Sequence, residues 1–162
     1  MPRERVFVGL GANLGDAAST LRLAFTQIGQ LATTHIVAVS PFYRTAPVGA
    51  TGPDYTNAVV EISTELAPAA LLQALHGIEA EHGRLRPYRN APRTLDLDLL
   101  LYGQRISSDP ALSLPHPRLH LRAFVLQPLL DIAPTLIHPL LGPLADRAAA
   151  VADQSIQRLP PS

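Results

Sequence analysis

An α+β fold is expected for this chain: an antiparallel sheet covered by helices, followed by a C-terminal helical extension. Two features carry that expectation. Runs with strand-like alternation and runs with apolar residues at helical spacing follow one another in the order strand, helix, strand, strand, helix, strand. At 162 residues and 47% hydrophobic composition, the chain is long enough for one well-buried domain spanning 1–162 and short for two.

Residues 5–11 form a short β-type run, and Ala12-Asn13-Leu14-Gly15-Asp16 is a turn rich in small and polar residues. Over 17–31, Leu21, Ala24, Phe25, Ile28 and Leu31 recur at helical spacing and predict an amphipathic helix. Residues 35–43, rich in Val and Ile, read as a strand, and 45–54 read as a loop because they carry Pro47, Gly49, Gly52 and Pro53. Residues 55–64 form the next strand. Pro68 suits the first turn of a helix running to about Gly83, with Leu71, Leu72, Leu75 and Ile78 on one face. A polar, Arg-rich loop over 84–92 then leads into a strand at 93–102. This order is the split βαβ pattern of a ferredoxin-like βαββαβ core, with two helices on one face of the sheet. From 103 to 162, Pro-punctuated helical segments are expected, including 119–132 and 144–154. There is no internal repeat or low-complexity segment.

The charge balance narrows the function. Thirteen basic residues offset 13 acidic ones, so nothing points to a nucleic-acid or anionic-membrane binder. Every basic residue is Arg. The absence of Lys excludes a P-loop lysine, a Schiff-base lysine and a lysine general base, while Arg keeps phosphate recognition open through its planar fork. With no Cys, disulfides, thiolate nucleophiles and Cys-based zinc sites are excluded. The N-terminal residues do not make a signal peptide, and the apolar region from 123 to 145 is too broken by proline and charge to span a membrane. A cytoplasmic protein is expected.

The most informative stretch is Arg93-Thr94-Leu95-Asp96-Leu97-Asp98-Leu99-Leu100-Leu101. Alternate residues of a strand point to opposite faces, so Asp96 and Asp98 share one face while Leu95, Leu97 and Leu99 take the other. Two carboxylates side by side repel unless a proton or cation intervenes, and such hard oxygen donors suit Mg²⁺ with phosphates completing its shell. The alternative is a solvent-facing strand with two ordinary acids. Arg84, Arg86, Arg89 and Arg93 precede the pair within ten residues. They are either surface charge pairs or, together with metal over the acids, a means of neutralising a polyphosphate. Gly9-Leu10-Gly11-Ala12-Asn13-Leu14-Gly15 fails the dinucleotide-loop spacing, and a tight turn between strand and helix accounts for its glycines. His116 and His120 lack a zinc-protease pattern; His116 instead suits hydrogen bonding to an anion beside Arg118 and Arg122.

Three separated motifs resemble one family. Phe42-Tyr43-Arg44-Thr45-Ala46-Pro47-Val48-Gly49, then Pro92-Arg93-Thr94-Leu95-Asp96-Leu97-Asp98, then Pro115-His116-Pro117-Arg118 with Arg122-Ala123-Phe124-Val125-Leu126 are similar to 6-hydroxymethyl-7,8-dihydropterin pyrophosphokinase of folate biosynthesis. The resemblance runs in order from Val6 to about Pro139. It implies that ATP and two Mg²⁺ ions bind over Asp96 and Asp98, that the pterin hydroxymethyl oxygen attacks the β-phosphorus, and that AMP leaves. It further implies that Arg84 and Arg93 clamp phosphates, that His116 and Arg122 support the triphosphate, and that Glu79, Arg86, Leu99 and Ser113 line the nucleotide site. Thr45, Val48, Tyr55, Asn57 and Phe124 occupy the pterin positions, where aromatic faces and an amide suit a flat heterocycle. The implied partners are small molecules only, ATP and 6-hydroxymethyl-7,8-dihydropterin, and the chain is expected to act as a monomer. The loop at 84–92, with little to bury, is expected to order around its ligands; it is one residue shorter than in familiar members and has Asn90 near a common tryptophan. Ala12 replaces a frequent serine, and Pro117 an occasional tyrosine.

Two other classes stay open on the residues alone. A polymerase-β-type nucleotidyltransferase also uses a strand-borne Asp-x-Asp, although there the acids closely follow the glycine turn. A ferredoxin-like binding module would use the acids for a structural cation.

Overall fold

Strand β1 (Glu4–Ala12) lies at the heart of the sheet because residues 6–12 are buried along its whole length. It pairs antiparallel with β4 (Tyr55–Thr64) on one side and with β5 (Asp96–Tyr102) on the other. The computed structural model describes residues 3–13, 15–46, 53–83 and 95–160. Further along the sheet, β4 is flanked by β2 (Thr34–Val39) at its Thr64 end and by β3 (Tyr43–Thr45) at its Tyr55 end. The strand expected at 35–43 is therefore two strands. Pro41 has no N–H for a ladder, and at the break the Ser40 hydroxyl accepts the Val59 N–H at 2.9 Å in place of a backbone carbonyl.

Helices α1 (Ala17–Gly29) and α2 (Pro68–Gly83) cover one face. Asp16 caps α1 by accepting the Ser19 N–H at 3.1 Å, and Leu21, Ala24 and Ile28 are buried beneath it. Leu71, Leu75 and Ile78 of α2 join them over Val6, Val8, Leu10, Val60, Ile62, Leu97 and Leu99. Gln27 ties the two helices together, accepting through Oε1 from the His82 Nε2 at 2.8 Å and donating through Nε2 to Glu81 at 2.9 Å.

The opposite face is covered as well, which the sequence reading did not anticipate. Helix α3 (Ala123–Ile132) and a 3₁₀ helix (Leu144–Val151) pack over Phe7, Val59, Leu100 and Leu101. The helix expected at 119–132 is divided, because Arg122 is extended (φ −123°, ψ 113°) between a 3₁₀ turn (Leu119–Leu121) and α3. The segment expected as a helix at 144–154 is 3₁₀ over its first eight residues. Between and after these lie two short hairpins, β6 (Ser107–Asp109) with β7 (Leu112–Leu114), and β8 (Ile137–His138) with β9 (Gly142–Pro143). Finally β10 (Gln157–Arg158) pairs with β3, giving the order β10-β3-β4-β1-β5. The fold is thus a mixed helix and antiparallel-sheet structure. Among the described residues no helix is long and apolar enough to cross a membrane.

The β8–β9 turn makes stability depend on pH. His138 is buried, and its Nδ1 accepts the N–H groups of Leu140 and Leu141, both at 3.1 Å. Burial lowers its pKa, with His120 and Arg147 adding to the effect. A histidine whose folded pKa lies below its unfolded value contributes stability that is complete above the unfolded pKa and is lost as pH falls toward the folded one. His82 is lowered by burial in the same sense. Tm should therefore fall as pH drops below the ordinary histidine range, and His138→Asn should flatten that dependence. Thermal unfolding between pH 7.5 and roughly pH 5, spanning the usual histidine titration, measures it. A pH-independent Tm in the wild type would contradict the assignment.

Candidate active site

The acids are held in register from both sides. Leu97 and Leu99 are buried under α2, so Asp96 and Asp98 face the other way, with Asp98 exposed and Asp96 partly so. An extra residue in β5, between the partners of Phe7 and Val8, turns both Leu100 and Leu101 into the second core. This anchors the acidic face where α3 begins. Among the described residues β5 ends the sheet order, and two of its outer backbone groups are taken: Glu79 of α2 accepts the Leu97 N–H at 2.8 Å, and Leu100 C=O accepts the His116 N–H at 2.8 Å. The residue between the two acids is thus clamped by Glu79.

A cavity of about 760 Å³ opens on this face. Its floor is β1. Gly9 stands opposite Asp98 and Gly11 opposite Asp96, and on the other side Gly11 faces Asn57. These glycines lie within the strand, not in the turn that was expected to explain them. What requires them is space. A Cβ on Gly11 would come within 3.0 Å of Asn57 Oδ1, and one on Gly9 within 3.4 Å of Leu100. Asn57 is only 5% exposed and donates through Nδ2 to Thr45 Oγ1 at 2.9 Å, so it has little freedom to yield. Gly11→Ala should consequently displace that amide. We expect kcat/KM for the substrate that meets Asn57 to fall about tenfold, the order set by one disturbed buried hydrogen bond, with Tm nearly unchanged. Steady-state kinetics with calorimetry checks this, and an unaltered kcat/KM would refute it.

The walls come from three parts of the chain. Thr45, Tyr55 and Asn57 stand on β3 and β4; Leu121, Arg122, Phe124 and Val125 stand at the start of α3; Gln154, Ser155 and Ile156 follow the last 3₁₀ helix. The Arg122 guanidinium lies 5.7 Å from the centre of the Phe124 ring. Tyr43 joins two walls: its hydroxyl donates to Asp131 of α3, and burial together with that carboxylate pushes the phenol up to about 12.

His116 sits beside the acids. Its Nδ1 accepts the Arg118 N–H at 3.1 Å, so in the neutral ring Nε2 carries the proton and is the donating nitrogen. Burial lowers its pKa, Asp98 pulls the other way, and Arg122 and Arg118 lower it further. A neutral imidazole donor next to carboxylates and guanidinium groups suits an anionic ligand without adding charge to be screened.

Of the site residues expected from sequence, Asp96, Asp98, Thr45, Tyr55, Asn57, Phe124 and Arg122 all line this one cavity. His116 is not among the lining residues but feels the charges of two that are, Asp98 and Arg122. Two are placed elsewhere: the Leu99 side chain is buried in the core on the opposite face, and Ser113 is exposed on β7, donating to Asp109 C=O at 3.3 Å. Glu79 holds the β5 backbone. Val48, Arg84, Arg86 and Arg93, with the whole 84–92 loop, lie outside the described residues. The sequence reading missed Gly9, Gly11, Gln154, Ser155 and Ile156. The i, i+2 spacing of the glycines within a strand was a usable signal; nothing local marks the other three.

The donor set fits magnesium. Asp96 and Asp98 present carboxylate oxygens on one open face, and the two glycines opposite leave room beside them. Among the described residues no group of three or more acidic, histidine or cysteine side chains forms a closed metal cage. One or two carboxylates completed by phosphate and water is the usual way in which Mg²⁺ is held.

Known proteins of one family are similar to this chain. A family model described as 7,8-dihydro-6-hydroxymethylpterin-pyrophosphokinase matches residues 7–134. The chain is 44% identical over 158 residues to the 2-amino-4-hydroxy-6-hydroxymethyldihydropteridine pyrophosphokinase of Pseudomonas aeruginosa, covering 97% of this chain and 98% of that relative. It is 42% identical over 156 residues to the protein of the same name from Haemophilus influenzae, covering 96% and 98% respectively. Among solved structures, Plasmodium falciparum HPPK-DHPS with pterin and p-hydroxybenzoate superposes with a TM-score of 0.71 at 14% identity, a likeness of fold. That match covers 91% of this chain, which spans 43% of the length of the Plasmodium chain.

Proposed function

The chain belongs to the 7,8-dihydro-6-hydroxymethylpterin-pyrophosphokinase family, and we propose that it transfers the β,γ-pyrophosphoryl group of ATP to the hydroxymethyl oxygen of 6-hydroxymethyl-7,8-dihydropterin in the cavity over β1. The observation that carries this reading is the convergence of two carboxylates, an arginine, an aromatic ring and a buried amide on one space. Asn57 and Thr45 read the pterin edge, with Tyr55 and Phe124 against its faces. The fixed hydrogen bond from Asn57 to Thr45 supports that role, because it leaves the Asn57 oxygen oriented toward the floor. Arg122 and the Nε2–H of His116 receive phosphate oxygens. Two Mg²⁺ ions held by Asp96 and Asp98 would supply charge neutralisation for the triphosphate. The pterin hydroxyl oxygen then forms a bond to the β-phosphorus and gives up its proton to solvent, the bond from that phosphorus to the α,β-bridging oxygen breaks, and AMP leaves.

Arg84, Arg86 and Arg93 are assigned to the phosphates and Val48 to the pterin on the motif match alone. Leu99 and Ser113 keep a place in the nucleotide site only through backbone groups or exposed hydroxyl, given where their side chains lie. For Glu79 we favour a supporting role, since it holds the strand between the metal ligands. The strand order, with a helix following β1 and another following β4, supports a ferredoxin-like core with a C-terminal extension. One domain spanning 1–162 is supported by β10, which returns to the main sheet. A monomer as the acting unit is proposed on the motif match alone. A cytoplasmic setting accords with a chain that has no cysteine.

The test is product analysis. With ATP, Mg²⁺ and the hydroxymethyl dihydropterin, AMP should accumulate in step with pterin consumption. ADP as the stoichiometric product would overturn the reading. Free pyrophosphate would favour a nucleotidyltransferase, and no turnover a binding module.

A further inference from the structure

We infer that Gln154 is a positioning residue that holds Arg122 and Phe124 at the cavity. The inference rests on the function proposed above. Arg122 occupies a half-buried junction: it is extended between the 3₁₀ turn and α3, and its side chain makes no capping bond to the helix it precedes. Leu121, just before it, is 55% exposed, so apolar packing does little to fix that residue. The backbone polar groups on both sides of Arg122 are bound by one side chain. Gln154 Oε1 accepts the Ala123 N–H at 2.8 Å, and Gln154 Nε2 donates to Leu121 C=O at 2.8 Å. A carboxamide can serve both groups at once because it carries an acceptor and a donor side by side. The first orphan N–H of α3 is thereby satisfied from 31 residues away.

Gln154 is itself well anchored. Its backbone N–H donates to Val151 C=O at 3.0 Å, closing the end of the 3₁₀ helix, and three residues later the chain enters β10 against β3. β3 carries Thr45 on the other wall of the same cavity. The segment from 152 to 158 therefore spans from the α3 side to the sheet side, and Gln154 transmits that fixed distance to Arg122. Without the clamp, the Leu121 carbonyl and the Ala123 N–H lose this partner, and the Arg122 backbone is held only from the helix side, where its C=O accepts the Val125 and Leu126 N–H groups at 3.0 and 2.9 Å. Its guanidinium and the adjacent Phe124 ring then lose their common placement.

Gln154→Leu removes both bonds while roughly keeping volume, and Gln154→Met does so with an unbranched chain. Either should lower kcat/KM about tenfold, as expected for disturbed placement worth one to two hydrogen bonds, with most of the loss in KM for both substrates. In an Arg122→Ala background the same substitution should add no more than about a further twofold loss, because two residues acting as one unit are not additive. Gln104→Leu is the matched control. It removes a comparable amide-to-carbonyl bond, Gln104 Nε2 to Ile137 C=O at 2.9 Å, among residues that do not line the cavity, and should leave kcat/KM unchanged. Wild-type kinetics in folded Gln154→Leu or Gln154→Met would overturn the inference, as would a loss that multiplies fully with Arg122→Ala or an equal loss in Gln104→Leu. In each of those results the wild type still makes AMP, so the proposed function stands. A wild type that makes no AMP overturns both.

Discussion

Asp96→Asn and Asp98→Asn, made singly, are each expected to reduce AMP formation by about three orders of magnitude, the scale seen when a principal transition-state charge stabiliser is lost. The protein should stay folded. Asparagine has nearly the shape of aspartate, and the register of β5 is set by Leu97 and Leu99 in the core and by the Glu79 bond to the Leu97 N–H. At Asp98, which is exposed, the substitution also removes repulsion from its neighbour, so Tm should be unchanged or slightly higher. An amide oxygen without formal charge is a poor partner for Mg²⁺. Part of the defect should therefore appear as a higher Mg²⁺ requirement, and part should persist at saturation. Initial rates across a Mg²⁺ titration separate the two. Activity within about tenfold of wild type at saturating Mg²⁺ would be far too small a loss for a metal-bearing carboxylate.

Arg122→Ala is expected to cost about two orders of magnitude in kcat/KM, because a guanidinium fork on phosphate acts most strongly where charge moves during transfer. Arg122→Lys should recover little, since a point charge lacks the planar pair of donors. The backbone should not suffer: Arg122 contributes no side-chain cap to α3, and Gln154 holds the peptides on either side. A second readout is independent of turnover. Arg122 is one of the charges that lower the pKa of His116, so its removal should move that pKa upward. Titration of the His116 ring by NMR in the two proteins measures the shift, and an unmoved titration would show that the two side chains do not share one site.

Particular residues show how far local pattern reached. The strand at 55–64 and a helix from Pro68 to about Gly83 were readable from the chain, the helix because Leu71, Leu75 and Ile78 recur three and four residues apart on one face. The shared face of Asp96 and Asp98 followed from the period of a strand alone. Gly9 and Gly11 were misread because a glycine pair near a turn and a glycine pair beneath a cavity look the same along the chain. Only their cross-strand partners, Asp98, Asp96 and Asn57, tell them apart.

By itself the sequence determined the helix-covered core, the chemistry of its acids and arginines, and the family, since each depends on residue type and short spacing. The tertiary structure decided what encloses the acids. That α3 covers the second face, that β10 returns to β3, and that Gln154 reaches Leu121 and Ala123 all depend on contacts between residues about 30 to more than 100 positions apart. Such contacts leave no periodicity in the chain. They arise because Phe7, Val59, Leu100 and Leu101 leave an apolar surface that must be covered, and the C-terminal third is what covers it.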